Sequence, residues 1–134
     1  MGGPGRERMK LLKTVVAAVA ALVATSALAH HNANAQYDNS KEFQIVGTLK
    51  EIRDVAPHAQ WTITAVNPAT HAQTTWRFEA AGNNALRRMG VQIKTDLRVG
   101  QSYTYFYTPA RDGSNTGFLT AIIINGQKYT IFKL

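Results

Sequence analysis

The sequence predicts an all-β fold, and three observations lead to that fold class. Most of the chain after residue 40 alternates apolar and polar residues with a period of two, which is typical of strands with one buried face. A helical pattern is found in one short segment of that region, from Asn83 to Gly90. Asn125-Gly126 stands between two apolar runs and predicts a hairpin with a type I′ turn.

The first predicted strand, Lys41 to Val55, is the one around which the others are arranged. Phe43 and Leu49 lie on its apolar side, and Gly47 falls on the same side without a side chain to bury. After Leu49 the alternation slips, so that Ile52 is the next apolar residue. A glycine in mid-strand and a slipped phase indicate a bend or a bulge. We therefore expect a long, coiled strand that pairs with different neighbours along its two halves.

The remaining elements follow in chain order and are separated by turns rich in proline, glycine and asparagine. They are a second strand from Gln60 to Val66, a third from Ala72 or Gln73 to Glu79, a helix from Asn83 to Gly90, a fourth strand from Gln101 to Thr108, a fifth from Phe118 to Ile124 and a sixth from Gln127 to Phe132. This is the order of the oligonucleotide/oligosaccharide-binding (OB) barrel. We predict an all-β, OB-like barrel of five to six strands with one short helix between the third and fourth strands; a small β-sandwich or another barrel is the alternative.

Aromatic residues on these strands are assigned by the same alternation. Trp61 and Trp76 are expected to face the core. Tyr103, Tyr105 and Tyr107 share one face of the fourth strand, where they either pack in the core or form a stacking surface for sugars or bases.

The predicted helix is about two turns long, so packing against the rest of the domain must hold it. Asn83 is expected to cap its start and Gly90 to end it. Leu86 and Met89 share the face that we expect to be buried.

The N-terminus has the pattern of a secretory leader. Basic residues precede the apolar run from Thr14 to Ala24, which is too short to span a bilayer. Ala27 and Ala29 form a cleavage site, with Ala35 as the more distant alternative. The expected organisation is a signal peptide at residues 1–29, an extended N-terminal arm at residues 30–40 and a single β-barrel domain at residues 41–134.

Charge and cysteine usage set the expected compartment. Four basic residues and one acidic residue of the leader supply +3 of the formal net charge of +7, so the processed chain is only moderately basic. The sequence contains no cysteine, which excludes disulfides, thiol chemistry and the lipid attachment of a bacterial lipoprotein. We expect a periplasmic or secreted protein with no stable membrane insertion after cleavage.

Several segments together resemble a family of small secreted bacterial proteins known only as a domain of unknown function. They are His30-His31, Tyr37-Asp38, Gly47 to Leu49, Pro57-His58, Trp76 to Glu79, Leu86-Arg87-Arg88-x-Gly90 and Pro109-Ala110-Arg111-Asp112-Gly113. The sequence departs from the family pattern at Ala56, where asparagine is usual, and at Val91, where tryptophan is common. The resemblance covers the processed chain and implies no activity.

The processed N-terminus is a candidate metal site. A free amine beside the His30 imidazole can chelate a transition metal, and His31, His58 and Asp38 can complete the ligand set if the arm folds back. Nitrogen-rich ligands of this kind suit Cu(II), Ni(II) or Zn(II). The alternative interpretation of the histidine pair is a polar arm with no ligand.

Four arginines are the candidate ligand-binding residues. Arg87 and Arg88 on the helix, Arg111 in the long polar loop and Arg77 on the third strand can form an anion-binding patch at the barrel mouth. The structural alternative is that Arg87 and Arg88 offset the helix dipole and that Arg111 belongs to a turn.

Two function classes are disfavoured by the residues. The outer face of the second and third strands, where OB barrels usually bind, carries no aromatic residue, so we expect no nucleic-acid partner. Motifs for nucleophilic, phosphate-loop or metalloprotease chemistry are missing from the sequence, so we expect no enzyme. The prediction is a secreted or periplasmic, non-enzymatic binding module for a small molecule, envelope component or protein partner, with no required cofactor. The alternative is a Cu(II)-type metal-binding protein using His30.

Overall fold

The structure, a computed structural model, describes residues 35–55 and 58–132. The predicted signal peptide, His30 and His31 lie outside these residues. The described elements are β1 (Phe43–Arg53), β2 (Ala59–Val66), β3 (Gln73–Ala80), α1 (Asn83–Arg88), α2 (Ile93–Asp96), β4 (Ser102–Pro109), β5 (Thr116–Ile124) and β6 (Gln127–Thr130). Within the described ranges no helix is long and apolar enough to cross a membrane.

The sheet closes into a five-stranded barrel. Its strand order is β3-β2-β1-β4-β5-β6, and a further pairing between β3 and β5 joins the two sides. The β3–β5 pairing is parallel and the others are antiparallel. Strand β6 extends the sheet beyond the closed part, and α1 lies between β3 and β4 in the chain. The predicted OB-like barrel with an added strand and a helix after the third strand is confirmed.

Strand β1 carries the predicted bulge. It pairs with β4 from Phe43 to Thr48 and with β2 from Thr48 to Arg53. The pairing with β2 shifts between Leu49 and Glu51, which leaves Lys50 without a partner. A bulge of this kind increases local coiling and reverses the side-chain alternation beyond it. Ile52 therefore packs against the core, while Glu51 and Arg53 face outward.

Gly47 is required by the close approach of β2. A Cβ atom at this position would lie 2.5 Å from Cδ1 of Ile63 and 3.0 Å from the carbonyl oxygen of Thr64. Ile63 is fully buried, so its side chain has little room to move. The close backbone approach expected from the mid-strand glycine is confirmed.

The barrel core is rich in aromatic side chains. Trp61 and Tyr105 are fully buried and meet edge to face, with ring centroids 6.4 Å apart. Tyr103 and Tyr107 are also buried, so the tyrosines of β4 form part of the core and do not present a stacking surface. Trp76 is half-buried and packs against this core.

Two residues expected in the core are exposed. Phe43 is the first residue of β1 and is 50% exposed, although its ring meets Tyr107 edge to face with centroids 6.1 Å apart. Met89 is 47% exposed because α1 ends at Arg88, one residue before it. Leu86 alone fills the predicted apolar face of the helix with a buried side chain.

The start of α1 differs from the prediction, whereas its end agrees with it. Gly82, not Asn83, is the N-cap, and no side chain caps the helix. Asn83 instead donates from Nδ2 to Asp54 at 2.7 Å. Gly90 has a φ of 88°, the left-handed conformation expected at a helix C-terminus.

The terminal hairpin has the predicted turn. Asn125 and Gly126 have φ values of 50° and 80°, and positive φ at both positions is the mark of a type I′ turn. Strand β6 is shorter than predicted because Ile131 and Phe132 leave the ladder. Both donate their backbone N–H groups to the carbonyl oxygen of Thr120.

Candidate binding groove

A groove of about 580 Å³ runs over the outer face of β1, β2 and β3. We call it the β1–β3 groove. It is lined by Gln36, Tyr37, Glu51, Arg53, Gln60, Trp61, Thr62, Arg77, Phe78, Glu79 and Thr116. This is the face that OB barrels most often use for ligands.

Strand alternation places the polar side chains of the groove. On β2, Trp61 turns inward, so Gln60 and Thr62 face outward. On β3, Phe78 turns inward, so Arg77 and Glu79 face outward. The floor is therefore polar and charged, over a buried aromatic layer.

The bulge at Lys50 adds two charges to this face. In a regular strand Glu51 would follow the inward phase of Leu49, whereas the extra residue turns Glu51 and Arg53 toward the groove. Their side chains form an ion pair at 4.0 Å, with Nε of Arg53 facing Oε1 of Glu51. Both side chains are more than half exposed, so the pair contributes little to stability.

One wall of the groove comes from the segment that precedes the barrel. Tyr37 is 2% exposed and forms an isolated β-bridge with Ala110. The N–H of Asp38 donates to the carbonyl oxygen of Pro109 at 2.9 Å, and the N–H of Arg111 donates to that of Gln36 at 3.0 Å. These bonds hold Gln36 and Tyr37 beside the groove.

Glu79 links this wall to β3. Its carboxylate lies near the Tyr37 hydroxyl and raises the pKa of that phenol. Nδ1 of His58 lies 3.2 Å from Oε2 of the same carboxylate. The Phe118 ring packs against both partners, with centroids 5.8 Å from Tyr37 and 5.3 Å from His58. Glu79 thus joins the arm, the β1–β2 connection and the barrel.

Burial is the main cause of a raised Tyr37 pKa, and the neighbouring Glu79 carboxylate raises it further. The phenol therefore keeps its proton at neutral pH and acts as a hydrogen-bond donor. Tyr37 and Glu79 were not among the predicted site residues. A signal was available, because both belong to the segments that carry the family resemblance.

The four candidate arginines occupy different places. Arg77 lies in the β1–β3 groove, whereas Arg88 and Arg87 line two other surface depressions around α1. Nη2 of Arg87 donates to Asn84 at 2.9 Å within the helix. Arg111 lies 3.9 Å from Asp38, next to the arm. Arg77 is the candidate that the structure brings into the groove.

The predicted metal ligands in the described part of the chain have other partners. Asp38 accepts a hydrogen bond from the Ser40 hydroxyl at 2.6 Å and pairs with Lys41 at 2.9 Å. These two contacts lower the pKa of Asp38 to about 2. His58 is engaged by Glu79. Among residues 35–55 and 58–132, no three histidine or acidic side chains come together as a metal site.

The fold and the groove define a class of protein: a small OB-like barrel with a polar, mixed-charge face. The chain belongs to a family of unknown function (DUF6152), whose model matches residues 17–120. The resemblance to a domain of unknown function is thereby confirmed. No curated protein and no solved structure matches the chain.

Proposed function

We propose that this chain is an exported, non-enzymatic binding module whose ligand occupies the β1–β3 groove. The observation that carries the proposal is the groove itself, a concavity of about 580 Å³ on the usual binding face of an OB barrel. Small-molecule sites span roughly 300–1,000 Å³, so the volume suits a small molecule or a segment of an envelope component or partner protein. Export is inferred from the leader pattern of residues 1–29.

The chemistry of the groove favours binding over turnover. Glu79 is already engaged by His58, and the raised pKa of Tyr37 keeps its phenol protonated, so it does not serve as a base. The Thr116 hydroxyl is paired at 2.8 Å with the Ser114 hydroxyl, which in turn donates to Asp112 at 2.6 Å, so the Thr116 proton is already in use. This arrangement supports a role in positioning a ligand by hydrogen bonds and charge.

The charge balance of the groove argues against nucleic acid. Two carboxylates, Glu51 and Glu79, stand beside the two guanidinium groups of Arg53 and Arg77. A phosphate backbone requires a continuous basic track, and here each cation has an acidic neighbour.

An amide-resolved NMR screen of the purified protein tests the proposal. A library of metabolites and soluble envelope fragments is expected to contain compounds that shift the backbone amides of Thr62, Arg77 and Thr116. Arg77→Gln should weaken such binding at least about tenfold, as loss of one charge-assisted hydrogen bond implies. Lys128→Gln is the matched control, because it removes an exposed cation from β6, outside the groove.

Two results would overturn parts of this proposal. Ligands whose shifts all fall outside the groove would show that the binding face has been assigned to the wrong place. Turnover of any library compound that is lost in Glu79→Gln would refute the non-enzymatic role.

The alternative function, transition-metal binding, depends on His30. Cleavage after Ala29 would give a free amine and an imidazole on one residue, a chelate for Cu(II). Acetylation of the His30 amine should then weaken Cu(II) binding at least about tenfold, because it removes the terminal chelate and keeps the imidazoles. Titration of the free and acetylated forms, with intact mass defining their N-termini, tests this. Equal affinities would exclude the chelate.

A further inference from the structure

Strand register arranges the groove floor as two rows of side chains across the sheet. Residues paired in register place their side chains on the same face, next to one another. The first row is Glu51, Thr62, Arg77 and Thr116, and the second row is Arg53, Gln60 and Glu79.

The charges in these rows alternate in both directions. Along β1, Glu51 is followed two residues later by Arg53, and along β3, Arg77 is followed by Glu79. Across the sheet, Glu51 and Arg77 lie on either side of β2 in the first row, and Arg53 and Glu79 do so in the second. Strands about 4.8 Å apart put the opposite charges of one row about 10 Å from each other.

The charges differ in how far they are already neutralised. Glu79 is paired with His58 at 3.2 Å, and Glu51 and Arg53 share a weak, exposed contact at 4.0 Å. Arg77 makes no ion pair with any residue in the described ranges. It stands between two threonines, Thr62 on β2 and Thr116 on β5, so the guanidinium is flanked by two threonine side chains on the same face.

We infer that the β1–β3 groove takes a zwitterionic ligand, with a carboxylate on Arg77 and an ammonium group near Glu51, as in a short peptide with free ends. The inference rests on the proposed function and names its ligand class. A guanidinium binds a carboxylate through two parallel hydrogen bonds, and the Thr62 hydroxyl beside it adds a donor, whereas the Thr116 hydroxyl already donates to Ser114. The bulge at Lys50 is part of this site, because it brings Glu51 to the floor.

Ligands that carry charges of only one sign, and uncharged ligands, fit this floor less well. A dianion that reaches from Arg77 along the row meets Glu51, and a dication that starts at Glu51 meets Arg77, so each pairs one charge and repels the other. A neutral sugar would need an exposed aromatic ring for stacking, whereas the rings of Trp61 and Phe78 are buried beneath the floor.

Trialanine is a suitable probe because three extended residues span about 10 Å, the distance between the two charges of the first row. The free peptide is compared with its N-acetylated, C-amidated and doubly blocked forms by amide-resolved NMR titration. Each blocked end is expected to weaken groove binding about tenfold, the value of one charge-assisted contact. The amides of Thr62, Arg77 and Thr116 should report the binding.

Variants assign each end of the peptide to its partner. In Arg77→Gln, C-amidation should cost no further affinity, and in Glu51→Gln, N-acetylation should cost none. Lys128→Gln should keep the full dependence on both ends. Groove binding with equal affinity for all four peptides, or no shift in the groove with any of them, would overturn the zwitterion inference. The broader binding proposal is judged separately, since it fails only if the metabolite and envelope library also leaves the groove unperturbed.

Discussion

At the scale of single residues, Gly47 shows how one missing side chain permits two strands to meet. Gly47→Ala is expected to lower the free energy of unfolding by about 1–3 kcal/mol, because the new methyl group overpacks against buried Ile63 and the Thr64 carbonyl. Urea unfolding followed by circular dichroism measures the change. Gly82→Ala is the matched control: nothing lies within 4 Å of its added Cβ, and its φ of −63° suits alanine. Equal losses in both variants would exclude the packing explanation.

A second prediction at the scale of single residues concerns Tyr37. Tyr37→Phe keeps the ring against Phe118 and removes the buried hydroxyl beside the Glu79 carboxylate, so the free energy of unfolding should fall by about 1 kcal/mol. Tyr129→Phe serves as the control, because its hydroxyl bonds only the exposed Gln127 side chain. The two variants are compared by urea unfolding. If both lose the same amount, the proximity of the Tyr37 hydroxyl to Glu79 adds no particular stability.

The role of Tyr37 could not be predicted from its neighbours in sequence. The residues around it are small and polar without a period, which predicts an exposed arm. Its burial depends on Phe118, Ala110 and Glu79, which lie far along the chain. By contrast, Trp61 was assigned to the core correctly, because strand alternation is a local property that fixes which face a side chain occupies.

At the scale of elements, the bulge in β1 makes a testable distinction between two deletions. Deleting Lys50 removes a residue without a partner, so Leu49 and Ile52 stay inward and Glu51 stays in the groove. We expect a folded barrel that loses about 1–2 kcal/mol of stability with the local coiling. Deleting Thr64, which is paired on both sides, should unfold the domain, because half of β2 would turn its apolar side outward.

Near-ultraviolet circular dichroism and urea unfolding distinguish the two outcomes. A native spectrum for the Lys50 deletion and none for the Thr64 deletion would agree with the assigned register. Unfolding of both proteins would mean that the bulge is essential for closing the barrel.

Elements with a strong local signal were predicted well, and those that depend on distant contacts were not. The type I′ turn follows from Asn125-Gly126 alone, since few other residues adopt positive φ twice in succession. The one-turn helix α2 has no apolar period, and the Asp96 carboxylate braces it by accepting from the Gln92 N–H and from the Thr95 hydroxyl. The groove needed the register of four strands, which alternation within one strand does not give.

At the scale of the whole molecule, the tyrosines set the alkaline limit of stability. Burial raises the pKa of Tyr37, Tyr105 and Tyr107 above the ordinary value of 10.0. In the unfolded chain these phenols lose their protons near pH 10, whereas in the folded protein they keep them. Stability is therefore fully present below pH 10 and falls as the pH rises above it, by up to about 1.4 kcal/mol per pH unit for each tyrosine.

Tyr105→Phe tests this account most directly. The Tyr105 hydroxyl is buried without a hydrogen-bond partner among the described residues, so its removal should leave stability at neutral pH unchanged or slightly higher. Above pH 10 the stability of the variant should fall less steeply than that of the wild type. The difference in slope is up to about 1.4 kcal/mol per pH unit, because the unfolded variant releases one proton fewer. Urea unfolding at a series of pH values, with tyrosinate absorbance as a second signal, measures both slopes. Parallel curves for the two proteins would show that Tyr105 ionises without unfolding and that another group sets the alkaline limit.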